Sequence, residues 1–345
     1  MSAPRLFFVA PALGSNDGWV TSQAEILAER FARDGFTVMI SSRHLGRLRR
    51  LLDVLMSTFR LRRSYDVAVV AVFSWKAFLN AELTSWLLNR VNKPFVFVLH
   101  GGDLPRFSRR FPKWTARVLQ RADVVLAPSA YLSSELDHLG IDIRVIPNMI
   151  ELDDYPFAPR APARPRLLWM RTFHELYHPE MAVEVVAELE KRGTHVHLTM
   201  GGQDRGLRSI VERRAATLGV SDRVSLVGFL DGDGKREALQ THDVFLNTNR
   251  VDNMPVSVVE AGAAGLIVVA TAVGGIPYLL VHEESALMVA DGDVDAMADA
   301  VERVLEDEAL ASQLSNGARR VAERSGWPTV RAQLIDVFSE ATKSR

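Results

Sequence analysis

The stretch Asp252-Asn253-Met254-Pro255-Val256-Ser257-Val258-Val259-Glu260 holds two carboxylates eight positions apart and runs into the apolar segment Leu266–Ala270. Proline suits the first turn of a helix, because its missing N–H is not needed there. The pattern therefore predicts a helix that begins near Pro255 and is followed by a buried strand. Asp252 then lies in the loop before the helix, and Glu260 lies on its second or third turn.

The start of this predicted helix suits an anion. The first backbone N–H groups of a helix have no partner within the helix, and the helix dipole is positive there. A phosphate is therefore expected beside the residues that begin the helix, which are Asn253, Met254, Pro255, Val256 and Ser257. The two carboxylates can accept hydrogen bonds from sugar hydroxyls. Together these residues predict a site for a nucleotide-linked sugar.

The same stretch resembles the acid-x7-acid signature of the retaining family 4 glycosyltransferases, with Asp252 where Glu is usual. Gly274–Tyr278 resembles the GGIPE-type turn of the family, and His282–Val289 resembles its G-x-x-G-x-L-V segment without the glycines. Val145–Glu151 is similar to its IPNGVD hinge. The resemblance implies the GT-B fold, an α/β fold in which two Rossmann-like domains face each other across a central cleft.

Length and composition fit this fold. The chain has 345 residues, of which 48% are hydrophobic and 24% charged, which suits two domains of about 150–200 residues each. Cysteine is absent, which excludes disulfides and thiolate metal sites and fits a reducing compartment such as the cytoplasm. The apolar run Leu6–Leu13 is short and leads into a glycine loop, so we expect a first strand there and not a signal peptide.

One segment could be mistaken for a membrane span. Ala261–Val281 contains no charged residue over 21 positions, about the length that crosses a bilayer. Four glycines and Pro277 interrupt it, however, and glycine and proline usually end regular elements. We therefore expect a helix end, a short strand and a turn.

Strand-like and helix-like segments alternate along the whole chain, which predicts parallel sheets covered by helices. The proline-rich segment Tyr155–Pro165 is interpreted as a linker between two such series. We expect residues 1–150 to form an acceptor-binding domain and residues 151–325 a donor-binding domain. Residues 326–345 are expected to form a last helix that packs back on the first domain, as is usual in this family.

Charge is distributed unevenly between the two halves. Residues 1–150 carry 20 basic and 12 acidic residues, and the rest carries 21 and 30, although the whole chain has a net charge of −1. Arg43–Arg63 combines arginines with leucines at helical spacing, and such a helix can lie on anionic lipid at the inner membrane face. A core helix with a charged end is the alternative. Nucleic acid is disfavoured as a partner because no recognition motif accompanies the charge.

Two loops of the first half are candidate contacts for the substrates. Leu99–Asp103 follows an apolar strand and resembles the HG-x-D loop of the family, whose His lies near the reacting sugar. His100 at the end of a strand is well placed to bond a sugar hydroxyl, although it could equally have a structural partner. Gly18 matches the glycine loop of the family after the first strand and is expected near a phosphate or the acceptor.

The second half supplies the expected phosphate contacts. Arg171 follows a predicted strand and matches the family's diphosphate-binding Arg, and His178-Pro179 stands about where the family has Lys-Gly. A protonated His178 could replace part of the missing charge. Further candidate donor contacts are Gly201, Gly202, Gly228 and Arg250.

The resemblance implies a retaining hexosyltransferase that uses a nucleotide-sugar donor, a glycan or lipid-linked acceptor and no metal or other cofactor. Arg171 would stabilise the leaving phosphate, and Glu260 would hold the donor ribose. Asp252 and His100 would contact the donor sugar. Because the Lys is missing, two alternative functions remain. One is a non-catalytic binding protein of the same fold, and the other is another GT-B enzyme such as a nucleotide-sugar epimerase. A dinucleotide dehydrogenase is disfavoured, since no G-x-G-x-x-G follows a strand.

Overall fold

The computed structural model describes residues 4–12 and 21–343, without the side chain of Arg47. The chain forms two compact units, one of residues 1–149 together with 328–345, and one of residues 150–327. Each unit is built on its own six-stranded sheet, and every pair of neighbouring strands is parallel. The predicted α/β class with two Rossmann-like sheets is confirmed.

The sheet of the first unit has the order β2-β1-β3-β4-β5-β6. Its central strands are continuous apolar runs because helices cover both faces, and the side chains of β1 and β5 are buried along their whole length. The strands are β1 (Leu6–Val9), β2 (Val38–Ser41), β3 (Val67–Val72), β4 (Phe95–Leu99), β5 (Val124–Ala127) and β6 (Arg144–Val145).

Seven helices accompany the first sheet in the part of the chain that the structure describes. They are α1 (Gln23–Arg33), α2 (Arg47–Arg60), α3 (Phe78–Arg90), α4 (Leu104–Arg110), α5 (Pro112–Leu119), α6 (Ala130–Glu135) and α14 (Trp327–Lys343). Helix α14 packs on α1, where Phe338 lies 5.6 Å from Phe31 between ring centroids. The last helix of the chain therefore completes the core of the first unit.

The sheet of the second unit has the order β12-β11-β10-β7-β8-β9. Its strands are β7 (Arg166–Met170), β8 (His197–Gly201), β9 (Val224–Gly228), β10 (Val244–Asn247), β11 (Ile267–Thr271) and β12 (Leu287–Val289). Its helices are α7 (Pro179–Lys191), α8 (Arg208–Thr217), α9 (Gly232–Thr241), α10 (Val256–Ala264), α11 (Ile276–Leu279), α12 (Val294–Glu306) and α13 (Glu308–Glu323). Two buried apolar clusters, which include Trp169 and Phe245, cover the two faces of this sheet.

The linker interpretation of Tyr155–Pro165 is wrong. Tyr155 and Arg160 are buried, and the Arg160 guanidinium donates to the backbone oxygens of Leu239 and His242. The prolines prevent a helix or strand, but the segment belongs to the second unit and is anchored to its surface by these two buried side chains. The division between the units lies a few residues earlier, between Met149 and Ile150.

The apolar segment Ala261–Val281 is divided as expected between the end of α10, strand β11 and the short helix α11. Over residues 4–12 and 21–343, the structure contains no helix with the length and apolar character that a membrane span needs.

Candidate functional site

Polar residues follow three neighbouring strands of the second sheet, where each strand ends. Arg171 follows β7, the segment Thr248–Asn253 follows β10, and Gly274-Gly275 comes shortly after β11. Strands β7, β10 and β11 are adjacent and parallel, so their carboxyl ends meet at one edge. Ligands of open α/β sheets bind beyond this edge. Helix α10 begins at the same place.

The side chain of Arg171 lies at this edge and is largely buried. Its guanidinium forms an ion pair with Asp252 and lies over the ring of Tyr177, 4.5 Å from the ring centroid. Burial lowers the pKa of Arg171, while interactions with Tyr177 and Glu260 raise it. Arg171 follows β7, and the helix that carries Glu260 begins at the same edge of the sheet. The expected phosphate-binding Arg and ribose-binding Glu thus belong to one local site.

Asp252 is engaged within its own loop. Its Oδ2 accepts from Nδ2 of Asn249 at 2.7 Å and pairs with Arg171, and its Oδ1 accepts from the backbone N of Asn253 at 2.8 Å. Two glycines of the segment after β11 pack closely against the backbone of this loop. A Cβ on Gly274 would lie 2.1 Å from the Asp252 carbonyl oxygen, and one on Gly275 would lie 1.7 Å from that of Asn253. No other residue would let the two loops approach so closely.

Helix α10 begins at Val256, and Pro255 is its N-cap residue, one position before the first turn in which it was expected. Ser257, in that first turn, is only 9% exposed, and its Oγ is a buried atom without a hydrogen-bond partner among the described residues. Met254 and Asn253 are buried beside it. The helix ends at Ala264 and is capped by Gly265, whose φ of 92° suits glycine.

Glu260 lies on the second turn of α10 and is 7% exposed. The Tyr155 hydroxyl donates to its Oε1 at 2.8 Å, and the Lys235 ammonium bonds the same oxygen. Lys235 comes from the first turn of α9, and Tyr155 comes from the segment that had been interpreted as a linker. Neither residue was predicted, because both are distant from Glu260 in the sequence and match no motif.

Gly201 and Gly202 are needed for packing at the end of β8. A Cβ on Gly202 would lie 1.7 Å from the carbonyl oxygen of Arg171, and one on Gly201 would lie 2.5 Å from Cδ1 of Leu230. Gly228 has a φ of 79°, and its carbonyl oxygen accepts from the backbone N of Gly202 at 2.7 Å. These glycines hold the backbone of Arg171 in place, and their contact with a ligand remains a prediction.

His178, which stands where the family has Lys, is bonded to Arg250. Arg250 donates from Nη2 to Nε2 of His178 at 3.0 Å, and since a guanidinium cannot accept, His178 carries its proton on Nδ1. Burial and then the charge of Arg250 lower the pKa of His178, so the ring is neutral at pH 7. The protonated form, which could replace part of the missing Lys charge, is therefore disfavoured. His178 and Arg250 line a groove of about 530 Å³ together with Arg213 and Arg214.

His100 lies at the corresponding edge of the first sheet, directly after β4. Its ring stacks on Phe73 with 5.3 Å between centroids, and burial lowers its pKa to about 4. Neutral imidazole can both donate to and accept from a hydroxyl. Nearby, Nε1 of Trp75 donates to Asp103, which orients the loop after His100. The predicted contact at Gly18 lies outside the described residues.

Five buried side-chain atoms at the edge of the second sheet have no hydrogen-bond partner in the part of the chain that the structure describes. Buried polar atoms are usually paired, so such a concentration indicates a place where a polar ligand or water is bound. Within residues 4–12 and 21–343, no group of three His, Asp or Glu side chains could hold a metal ion. The five atoms are Nε of Arg171, Nδ1 of His178, Nδ2 of Asn247, Oδ1 of Asn249 and Oγ of Ser257.

Two family models match the chain. The model described as glycosyl transferases group 1 matches residues 164–307, and the model described as glycosyltransferase family 4 matches residues 27–154. The chain belongs to the family 4 glycosyltransferases. The two matched ranges cover most of both units, and the family predicted from the acid-x7-acid stretch is confirmed.

Sequence similarity to a named glycosyltransferase supports the family assignment. The D-inositol 3-phosphate glycosyltransferase of Xylanimonas cellulosilytica is 28% identical over 260 residues, which are 68% of this chain and 62% of that protein. The aligned stretch thus spans less than two thirds of the length of the relative. The class of enzyme, a glycosyltransferase, agrees with the prediction.

Solved structures share the fold. Sucrose-phosphate synthase from Thermosynechococcus elongatus superposes with a TM-score of 0.80 at 17% identity, over 99% of this chain and 100% of the other. HepE of Anabaena, solved in complex with UDP and glucose, gives a TM-score of 0.75 at 17% identity, over 97% of this chain and 99% of the other. This family 4 chain therefore has the GT-B fold.

Proposed function

We propose that this chain transfers a hexosyl group from a nucleoside diphosphate sugar to an acceptor, with retention of configuration at the anomeric carbon. The observation that carries the proposal is the pairing of the Arg171 guanidinium with Asp252, in the loop that leads directly into α10. Nε of Arg171 and Oγ of Ser257 are both buried there without a partner among the described residues. The relative named above and the family resemblance favour sugar transfer as the reaction.

The leaving group in this proposal is a nucleoside diphosphate. Arg171 uses one nitrogen for Asp252 and keeps Nε for a phosphate oxygen. The first N–H groups of α10 and Oγ of Ser257 add donors that need no reorganisation when negative charge develops. A guanidinium and helix amides thus replace the ammonium group that the family usually places near position 178.

The other proposed residue roles are those predicted from the sequence. Glu260 holds the ribose of the donor, and Asp252 contacts a hydroxyl of the transferred sugar. In the first unit, His100 is the candidate contact for a sugar hydroxyl. Neutral His100 is suited to this, because it can donate and accept at the same time. The structure of HepE with UDP and glucose makes a UDP-sugar the first donor to test. The acceptor is a glycan or a lipid-linked sugar.

A thermal-shift and calorimetry screen against UDP-, GDP-, ADP- and dTDP-sugars tests the donor site. One donor should raise the melting temperature of the wild type. Arg171→Ala should weaken its binding about 10- to 100-fold, since hydrogen bonds to charged groups contribute about 1.5–3 kcal/mol. Ser257→Ala should weaken it less. The matched control is Arg320→Ala, an exposed arginine on α13 of the same unit, which should bind like the wild type.

Binding alone does not separate a transferase from a non-catalytic protein of the same fold. Release of nucleoside diphosphate from the bound donor, by transfer or slow hydrolysis, should occur with the wild type and be lost in Arg171→Ala. Tight binding without any release in the presence of varied acceptors would favour the binding protein. The anomeric configuration of the product, measured by NMR coupling constants, should equal that of the donor.

We also propose that α2 places this enzyme on an anionic membrane surface at the cytoplasmic face. The apolar side chains that were expected either on lipid or in the core are exposed: Leu48 is 79% and Leu52 is 60% exposed, and Leu45, Met56 and Phe59 are about half exposed. Exposed Arg43, Arg49, Arg60 and Arg63 accompany them. An exposed apolar face with a basic border matches the chemistry of acidic headgroups over acyl chains.

Sedimentation with vesicles tests this surface. The wild type should bind vesicles that contain an acidic phospholipid and not purely zwitterionic ones. Leu48→Ser with Leu52→Ser, and separately the four exposed arginines changed to Gln, should each reduce binding at least tenfold, since each basic side chain contributes about 1 kcal/mol. Phe229→Ser with Val281→Ser, two exposed apolar residues of the second unit, is the control. Equal binding by all variants would exclude α2 as the contact.

A further inference from the structure

We propose that Lys235 and Tyr155 orient Glu260 so that its free oxygen receives the ribose hydroxyls of the donor, which makes the site selective for ribonucleotides over 2′-deoxyribonucleotides. The inference rests on the proposed function, because it concerns the same donor site. It assigns a positioning role to two residues that match no motif of the signature.

Three separate elements meet at Glu260. Glu260 lies on α10, Lys235 lies 25 positions earlier on α9, and Tyr155 lies 105 positions earlier, just after the 3₁₀ turn Leu152–Asp154. The Lys235 ammonium also lies 5.8 Å from the centre of the Tyr155 ring. The backbone oxygen of Tyr155 accepts from Arg319, which holds that segment against the rest of the unit.

Both donors bond the same carboxylate oxygen. The Tyr155 hydroxyl and the Lys235 ammonium each bond Oε1, whereas Oε2 receives no hydrogen bond from the residues that the structure describes. A carboxylate oxygen has two lone pairs, so Oε1 is saturated. The side chain is therefore held in one orientation, with Oε2 left to accept from a vicinal diol such as that of ribose.

The charges support this arrangement. A buried carboxylate is costly without a counter-charge, and the Glu260 side chain is 9% exposed while that of Lys235 is 30% exposed. Burial, and then the charge of Glu260, raise the pKa of Tyr155 far above its usual range, so its hydroxyl is a permanent donor. Lys235 balances the carboxylate, and Tyr155 fixes its direction.

A different role for Lys235 would be a direct contact with the donor diphosphate. The two roles predict different ligand dependence. A lysine that acts through Glu260 affects recognition of the ribose, and its removal should matter little once the 2′-hydroxyl is gone. A lysine that binds phosphate should affect ribose and deoxyribose forms equally.

Calorimetry with UDP, GDP and ADP, each paired with its 2′-deoxy form, separates these roles. For the base that binds, the wild type should prefer the ribose form by about 10- to 100-fold, as expected for loss of a hydrogen bond to a charged group. Lys235→Met should reduce that preference to about threefold or less, and Tyr155→Phe should reduce it partly. Lys235→Arg should restore it. The control is Lys191→Met, whose side chain is 77% exposed on α7.

Each outcome is decisive when the melting temperature shows that the variant is folded. An unchanged preference in Lys235→Met, or an equal loss of affinity for both sugar forms, would overturn the positioning role. A wild type that binds a nucleotide but ignores the 2′-hydroxyl would overturn it as well, with the donor site intact. A wild type that binds dTDP but none of the six nucleotides would overturn the ribose selectivity and leave the donor site intact. A wild type that binds neither the six nucleotides nor dTDP would instead remove the proposed function itself.

Discussion

Glu283 has a φ of 63°, a left-handed conformation that side chains with a Cβ rarely adopt. It belongs to the segment His282–Val289, which resembles a glycine-containing turn of the family but has no glycine. Its backbone N donates to the oxygen of Ala286 at 2.8 Å, and this tight turn leads into β12. The exposed ion pair with Arg303 contributes little.

At Glu283 we therefore expect the glycine variant to be more stable than the alanine variant, the reverse of the usual order in a helix. Glu283→Gly should be about 1 kcal/mol more stable than Glu283→Ala, because only glycine adopts this conformation without steric cost. At Glu237, an exposed position in α9, alanine should be more stable than glycine by a similar amount. Chemical denaturation of the four variants measures both differences. The same order at both positions would contradict strain at Glu283.

His100 links stability to pH at the residue scale. Burial lowers its pKa in the folded state from 6.5 to about 4. As the pH falls through 6.5, the unfolded chain takes up a proton that the folded chain resists, so the folded state is destabilised between pH 6.5 and pH 4.

Denaturation at pH 7 and pH 5 tests this contribution. The wild type should lose about 2 kcal/mol more on this change than His100→Gln, which keeps a neutral polar side chain without the titration. Above pH 7 the difference between the two proteins should be constant. Parallel losses between pH 7 and pH 5 would mean that His100 is hydrated in the folded state.

At the scale of elements, the donor site depends on the close packing of α10 against α13. A Cβ on Gly262 would lie 2.8 Å from the carbonyl oxygen of Ala318 and 3.1 Å from its Cβ. Glycine permits this approach, and the position of α10 sets the positions of Ser257 and Glu260. Gly262, which has no side chain, thus determines where Ser257 and Glu260 lie in the site.

Gly262→Ala should destabilise the protein by about 1–3 kcal/mol, although alanine is the better helix former, because the added methyl forces α10 away from α13. It should also weaken binding of the nucleoside diphosphate through the shift of Glu260. Gly232→Ala in α9 is the matched control, since its nearest neighbour is the flexible end of Arg236 at 3.5 Å. Equal stability of the two variants, measured by denaturation, would show that the α10–α13 contact adjusts without cost.

At the scale of the whole molecule, the two units differ in whether they are formed by one continuous segment of the chain or by two. The second unit is one uninterrupted segment with apolar clusters on both faces of its sheet. The first unit needs the distant helix α14, where Phe338 packs on Phe31, Arg331 pairs with Asp34 and Glu340 pairs with Arg144. A domain with its own core can fold alone.

Residues 150–327, expressed alone, should therefore unfold cooperatively and bind the same nucleoside diphosphate as the full chain, within about tenfold in affinity. Residues 1–149 alone should be unstable, because Phe31 would lose its cover, and a form extended through a short linker to residues 328–345 should fold. Circular dichroism and calorimetry measure both expectations. A stable fragment 1–149 would show that α14 is dispensable.

Much of this protein follows from local sequence. The alternation of strand-like and helix-like segments predicts parallel sheets, and β3, β4, β5 and β10 are the mostly apolar runs expected of strands covered on both faces. The sequence also predicts that Arg171 follows a strand and that Glu260 lies on the second or third turn of a helix, and the structure has Arg171 directly after β7 and Glu260 on the second turn of α10. Their roles toward a donor stay predictions. The family and the GT-B fold were also determined at this level.

Tertiary packing decided the rest. Proline content made Tyr155–Pro165 resemble a linker, yet Arg160 inside it is buried against α9. The leucine spacing in α2 was compatible with a core or an exposed face, because periodicity does not say which surface a helix meets. The contacts of Lys235 and Tyr155 with Glu260 could not be predicted from the sequence, because contacts between distant elements follow no fixed residue spacing.

The sequence by itself determined the elements, the family and the type of chemistry, because backbone periodicity and motif spacing act over a few residues. The three-dimensional fold alone decided that Arg171 pairs with Asp252, that His178 is neutral beside Arg250 and that one oxygen of Glu260 is occupied. Burial, charge and contact across tens of residues exist only after the chain has folded, so those properties cannot be read from residue order.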